Sequence, residues 1–504
     1  MVFASRNDKI LNLKLKSPIL AIFDIIIIMT QPNLTKNTTY YTAALILQKI
    51  LAFIYFWFIS NRLFPGELGQ YVFALSFTTL FSIFVDLGLT PILTREASKD
   101  KLKANAFLQS VLGLKIPLAI LTIIAVWITI TLTHQNSQVQ LLVYLASIIM
   151  ILDSFSLSFW VIFRSRHNLK YESLATILVQ IIIFSLGLFA LYSTGQVRDL
   201  ILALMAASIF NFVFVFSFIK FKLKFNLRPK FDWEIIRYFL KILPAFALAG
   251  IFIKIYNTND SILLGYLASD EAVGYFAVPA KVVYALQQII PAAFAAVIFP
   301  AFSYYYAHDK NQLSVSFDKA FNYLTIISFP ITAGIIALLP QILKFFWPAY
   351  LPTQQTFFLM TLAIPFIFLA FPTGYLLNAC DRQKNTTINR GVITALAVIL
   401  NIILIPKFSF LGAGITFLIT NVVLLFMDFF WVAKTIKLEW GIILKIVSKS
   451  LLASLIMVLA VKLLLGYFHL IIVIGLGALV YFFILYLVKG VNLAELKELK
   501  NKIG

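Results

Sequence analysis

The sequence runs to 504 residues, 61% of them hydrophobic and only 12% charged, whereas a soluble domain has about a quarter of its residues charged. A water-soluble globular protein is therefore excluded, and lipid must solvate most of the chain. The net charge of +20 would suggest a nucleic-acid partner in a soluble protein, but here it sorts loop by loop as described below, so no nucleic acid is expected.

Residues 1–39 read as a basic cytoplasmic tail. Within it, 18–29 is apolar but too short to span a bilayer, and Asp24 interrupts it. No small-residue cleavage site follows. The expectation is either that the native start is Met29 or that the run is an interfacial anchor.

Spans of about 20 apolar residues then follow at 40–60, 70–91, 106–131, 141–163, 173–193, 199–219, 242–264, 273–302, 320–340, 354–379, 387–406, 410–433, 446–466 and 469–488. These lengths predict helices rather than barrel strands, because backbone groups in lipid must be satisfied internally. About fourteen spans put both termini on one side. With that side cytoplasmic, 32 of the 41 Lys and Arg fall inside, 5 outside and 4 within spans, as the positive-inside rule requires. An all-α polytopic protein of a plasma membrane is the predicted class.

The basic stretch 220–241 is the one sizeable inner connection. It separates a six-helix lobe at 40–219 from a second at 242–433, and 434–504 adds helices 13 and 14 with a cytoplasmic tail. The two lobes look like parallel repeats. Lys49 precedes Gly69 by twenty residues and Lys254 precedes Gly274 by twenty, an offset of 205 that aligns ELGQYVFA with EAVGYFAVPA.

The sequence contains no Gly-rich phosphate loop, no catalytic carboxylate pair and no nucleophile motif, and outer loops are too short for a catalytic domain. One cysteine, Cys380, and four scattered histidines offer no metal-ligand spacing. No cofactor, metal or enzymatic activity is expected. The informative groups are ionisable residues at bilayer depth, where a charge costs at least ~2.5–3.5 kcal/mol and normally faces protein or a watery cavity. Lys49 lies about nine residues into its helix, roughly 14 Å deep at 1.5 Å per residue, and Lys254 is placed similarly. Lys115 and Lys281 also fall inside spans. Together the four predict a cationic cavity suited to a diphosphate; the competing reading is that each snorkels or pairs with a carboxylate. Asp86, Asp153 and Asp260 are candidates for that pairing or for coupling to H+ or Na+. Pro244, Gly250, Pro279 and Pro291 are candidate hinges, static kinks being the commoner case.

Three stretches resemble the polysaccharide-biosynthesis (O-antigen-type) flippases of the multidrug/oligosaccharidyl-lipid/polysaccharide (MOP) exporter superfamily. They are 68–100, with Gly69, Tyr71, Asp86, Gly88 and Arg95–Glu96; the seventh and eighth helices, with Asp260 and VGYFAVPAK at 273–281; and 389–420, with Asn401, Ile405–Pro406 and Gly412–Ala413–Gly414. The resemblance covers roughly 38–490. It implies two six-helix lobes around a cavity lined by helices one, two, seven and eight, working by alternating access. In such a cycle the sugar–diphosphate head group crosses the cavity while the polyprenyl tail stays in lipid. It also implies glycan polymerase and glycosyltransferase neighbours in a prokaryotic plasma membrane. Lysines stand where an arginine-rich cavity is usual, and helices 13 and 14 are an addition that drug exporters usually lack. The alternatives are a cation-coupled multidrug exporter, whose cavity usually needs acids, and a peptidoglycan-precursor flippase. A membrane-embedded glycan polymerase would need a long outer loop, which is absent.

Overall fold

The computed structural model describes residues 32–133, 135–166 and 168–490; the apolar run 18–29, Met29 and the tail from 491 lie outside the described residues. All regular structure among the described residues is helical. Thirteen of these helices are long and apolar enough to cross a membrane, or fourteen when one bent pair counts as a single span.

Helix α1 (Pro32–Arg62) begins at a proline and so extends into the segment expected to be tail; proline suits the first helical position because its missing N–H would have no partner there. Helix α2 (Pro65–Asp86) repeats that start, and the Phe64 N–H donates to Glu67 at 3.0 Å. It ends in a left-handed pair, Leu87 at φ 43° and Gly88 at φ 84°. That reversal launches α3 (Leu89–Lys99), an 11-residue helix that starts inside the span expected at 70–91 and runs on through the loop expected after it. Leu89, Ile92, Leu93 and Ala97 are buried on one side of α3, while Lys99 is exposed. Then come α4 (Ala104–Leu132), α5 (Ser137–Ser165), α6 (Lys170–Ser193) and α7 (Val197–Ser217), closed by a π-helical turn at Phe218–Lys222.

The basic linker 223–232 is not loose. The Lys230 N–H donates to the Gln109 carbonyl at 3.2 Å, and the Lys230 carbonyl lies so close to Gly113 of α4 that a methyl group there would not fit. Helix α8 (Trp233–Leu267) bends by 57° between Pro244 and Ala247. Helices α9 (Asp270–Ile289) and α10 (Pro291–His308) form one span broken at Ile290. After α11 (Lys310–Phe346) a 3-10 turn, Pro348–Thr353, leads through α12 (Gln354–Leu362) and α13 (Ile364–Ala379) to α14 (Gln383–Phe408) and α15 (Phe410–Ala433). The last pair is α16 (Trp440–Leu464) and α17 (Leu470–Leu487).

Helices α1–α7 pack chiefly among themselves, as do α8–α15, and the two sets meet where α1 to α4 face α8 and α9. Helices α16 and α17 attach through α11, with Leu338, Met457, Val461 and Tyr481 in a separate small core. Side chains such as Leu121, Phe189, Leu463 and Phe483 point outward, which is what lipid as solvent demands.

Candidate functional site

The face carrying residues 223–232 is called the linker face, and the face with the α1–α2 and α8–α9 turns the opposite face. On the opposite face the two helix sets are sewn together. Trp347 donates to Ser60 at 2.7 Å, Tyr350 to the Leu63 carbonyl at 3.2 Å and Gln70 to Asp270 at 3.0 Å. Between these bonds α2 and α9 cross at backbone contact. A side chain on Gly69 would overlap the Asp270 carbonyl, and one on Gly274 would overlap that of Pro65. The two contacts are the same contact twice: adding 205 to Pro65 and Gly69 gives Asp270 and Gly274. On the linker face the sets approach where Gly88 meets Ala247, with a would-be Cβ at 3.1 Å.

Beneath the crossing lies a cavity of about 330 Å3, lined by α1, α2, α6, α7, α8 and α9. Lys281 lines it, with its ammonium 5.3 Å from the centre of the Phe56 ring. Lys49, expected in the same cavity, is instead exposed on α1 and lines neither cavity, a correction to the expected set. Among the described residues neither lysine has a carboxylate within ion-pair distance, so their charge is available to a ligand. Asn257 and Tyr284 also line a second cavity of about 670 Å3 among α8, α9, α13, α14 and α15, which reaches Gln383 and Thr386 at the linker-face end. Amides, hydroxyls and aromatic rings form its wall. Arg390 and Asp428 both line it, so its formal charges balance.

The other expected residues fall elsewhere. Lys115 is fully buried away from both cavities, a correction to the expected cavity set. Its ammonium sits 2.6 Å from Asp86 and donates to the Ser154 carbonyl at 2.9 Å and its hydroxyl at 3.1 Å. Thr90, one turn beyond Asp86, donates to the same carboxylate. The pairing reading therefore holds for Lys115, because a cation this deep is tolerable only with an acid and further acceptors around it. Lys254 donates to Ser82 at 2.8 Å and joins α8 to α2.

Asp153 is half-buried on α5 and lines neither cavity. Asp260 accepts a 2.6 Å bond from Asn401, whose amide also donates to Asn259 at 2.6 Å. Pro244 marks the bend in α8, Gly250 has open space beside it, and Pro291 starts α10 after the break; Pro279 lies within unbroken helix. Sequence reasoning missed Asn257, Gln287 and Gln288 on the cavity walls. One signal was legible: Lys281, Tyr284 and Gln288 recur at i, i+3 and i+7 on α9, one face of a helix.

Comparison with known proteins now adds to this geometry. Residues 34–306 match the polysaccharide biosynthesis protein family. An uncharacterised membrane protein of Methanocaldococcus jannaschii is 24% identical over 416 residues, covering 76% of this chain and 80% of that protein. Among solved structures, the lipid II flippase MurJ in an inward closed conformation superposes with TM-score 0.71 at 20% identity, over 88% of this chain and 97% of that one. An inward-facing multidrug resistance MATE family transporter gives TM-score 0.62 at 14% identity, over 77% and 94%. A multi-pass helical membrane protein with the fold of MOP-superfamily transporters, this chain belongs to the polysaccharide biosynthesis protein family.

Proposed function

We propose that the chain is a flippase carrying a polyprenyl-diphosphate-linked oligosaccharide from the cytoplasmic to the outer leaflet of a prokaryotic plasma membrane, with both termini cytoplasmic, for cell-surface polysaccharide synthesis. The observation that carries this reading is Lys281, an ammonium without a carboxylate partner among the described residues, on a cavity wall between the two helix sets. A cation in a wall that holds no acid suits a phosphate group of the diphosphate and repels a cationic drug. The two helix sets rock against each other, parting at the α2–α9 crossing in one state and on the linker face in the other, so that the cavity meets one leaflet at a time while the tail stays in lipid. Glycosyltransferases supply the substrate and a polymerase takes the product. Asp153 and Asp260 keep the ion-coupling role among the three acids, since Asp86 is already neutralised by Lys115.

The test is a deletion strain. Finished lipid-linked saccharide should build up on the inner leaflet while surface glycan disappears, and the full-length chain should restore both. Lys281→Ala should fail to restore them although it reaches the membrane. Unchanged glycan with new sensitivity to cationic drugs would overturn the reading. The fold likeness to a lipid II flippase favours a second reading, a peptidoglycan-precursor flippase; accumulation of lipid II instead of a surface-glycan precursor would select it.

A further inference from the structure

The two cavities that meet at Asn257 and Tyr284 differ in chemistry, and the difference divides a ligand. The smaller holds Lys281 and no acidic residue in its wall. The larger is twice its volume, its charges balance, and its remaining polar groups are neutral. Among the described residues Gln287, Gln288 and Asn257 have no protein partner for their side-chain amides, so donors and acceptors stand ready on the wall. Asn378 takes a 2.9 Å bond from Thr386 on its oxygen, which leaves its amide hydrogens free to donate. Flat apolar faces stand beside these amides: Phe371 and Tyr375 stack with their rings 6.2 Å apart.

A lipid tail would leave these amides unpaired at high cost, and a second phosphate would find no net positive charge, since Asp428 offsets Arg390. Sugar rings offer what the wall lacks, with hydroxyls for the amides and apolar C–H faces for the aromatic rings. Helix α9 joins the two compartments. Lys281, Tyr284 and Gln288 lie on one face, and seven residues separate the cation from the amide by about 10 Å along the axis. On the reading of the chain as a flippase of lipid-linked saccharides, we propose that the cavity among α8, α9, α13, α14 and α15 is a sugar subsite. It binds neutral, hydroxyl-rich residues of the glycan while Lys281 holds the diphosphate. Glycan size is thereby selected separately from the lipid diphosphate.

The experiment compares two native substrates in the deletion strain carrying the full-length chain. One is the finished lipid-linked saccharide; the other is its single-sugar precursor, obtained by also deleting the glycosyltransferase that adds the second sugar. Outer-leaflet amounts of each are measured against the level of protein in the membrane. In the double variant Gln287→Leu, Gln288→Leu the ratio of finished to single-sugar transport should fall about tenfold, the scale of two lost hydrogen bonds. Transport of the single-sugar lipid also reports that the variant is folded. Lys281→Ala should lower both substrates and keep the ratio. A ratio unchanged in the double variant overturns the sugar subsite and leaves the flippase reading intact. Normal transport of both by Lys281→Ala overturns the diphosphate reading instead.

Discussion

Helices α1–α7 and α8–α15 bury their polar groups in different ways. Inside the first set, Asp86 and Lys115 form an ion pair closed off by Thr90 and Ser154. Inside the second, Asp260 is held by an amide, Asn401, and the larger cavity lies among the same set of helices. A buried ion pair is costly to form and still more costly to break, because removing one partner strands a charge. An acid held by an amide loses less. The first set therefore spends Lys115 on architecture, which leaves Lys49, Lys254 and Lys281 as the cations near the seam between the sets. The second set keeps its interior open to a ligand.

Breaking this contrast should follow an order. Lys115→Met strands the Asp86 carboxylate and should cost roughly 3–5 kcal/mol, read as thermal melting of the purified protein in detergent. The double variant Asp86→Leu, Lys115→Met should recover most of that loss. If the single variant melts like the parent, the pair is not structural and the two interiors are more alike than described. Next, Asn401→Leu removes the donor from Asp260 and should cost about 1–3 kcal/mol in the same assay. A loss as large as that of Lys115→Met would mean that Asp260 depends on this contact as heavily as Asp86 depends on its lysine. The smallest effect belongs to Ser82→Ala, which takes away the half-buried hydrogen bond of Lys254 and should cost about 1 kcal/mol or less. A larger change would make Lys254 a second structural lysine.

The helices were legible in the sequence because each span is a long apolar run with basic residues gathered at one side of the chain. Helix α3 was not: with Arg95, Lys99, Lys101 and Lys103 in and after eleven residues, its charge hides the buried Leu89–Ile92–Leu93 side. Span depth marked four lysines equally. What separates Lys115 from Lys281 is the identity of the facing helix, with Ser154 and Asp86 on one side and Phe56 on the other, and one chain's periodicity carries no such information. The amides of Gln287 and Gln288 were invisible for a related reason, since glutamine in a helix fits a cavity wall and a wet surface equally well. The 205-residue offset reached furthest, because it paired the two glycines that meet across the seam.

That mirrored crossing has a consequence for the substrate. Gly69 meets Asp270 and Gly274 meets Pro65 main chain to main chain, so the two contacts close the α2–α9 crossing together. At that crossing, backbone pressed against backbone leaves no side chain between α2 and α9 that could swing aside alone. A head group arriving from the opposite face therefore meets main chain at the crossing, and only a shift of one helix set against the other can admit it.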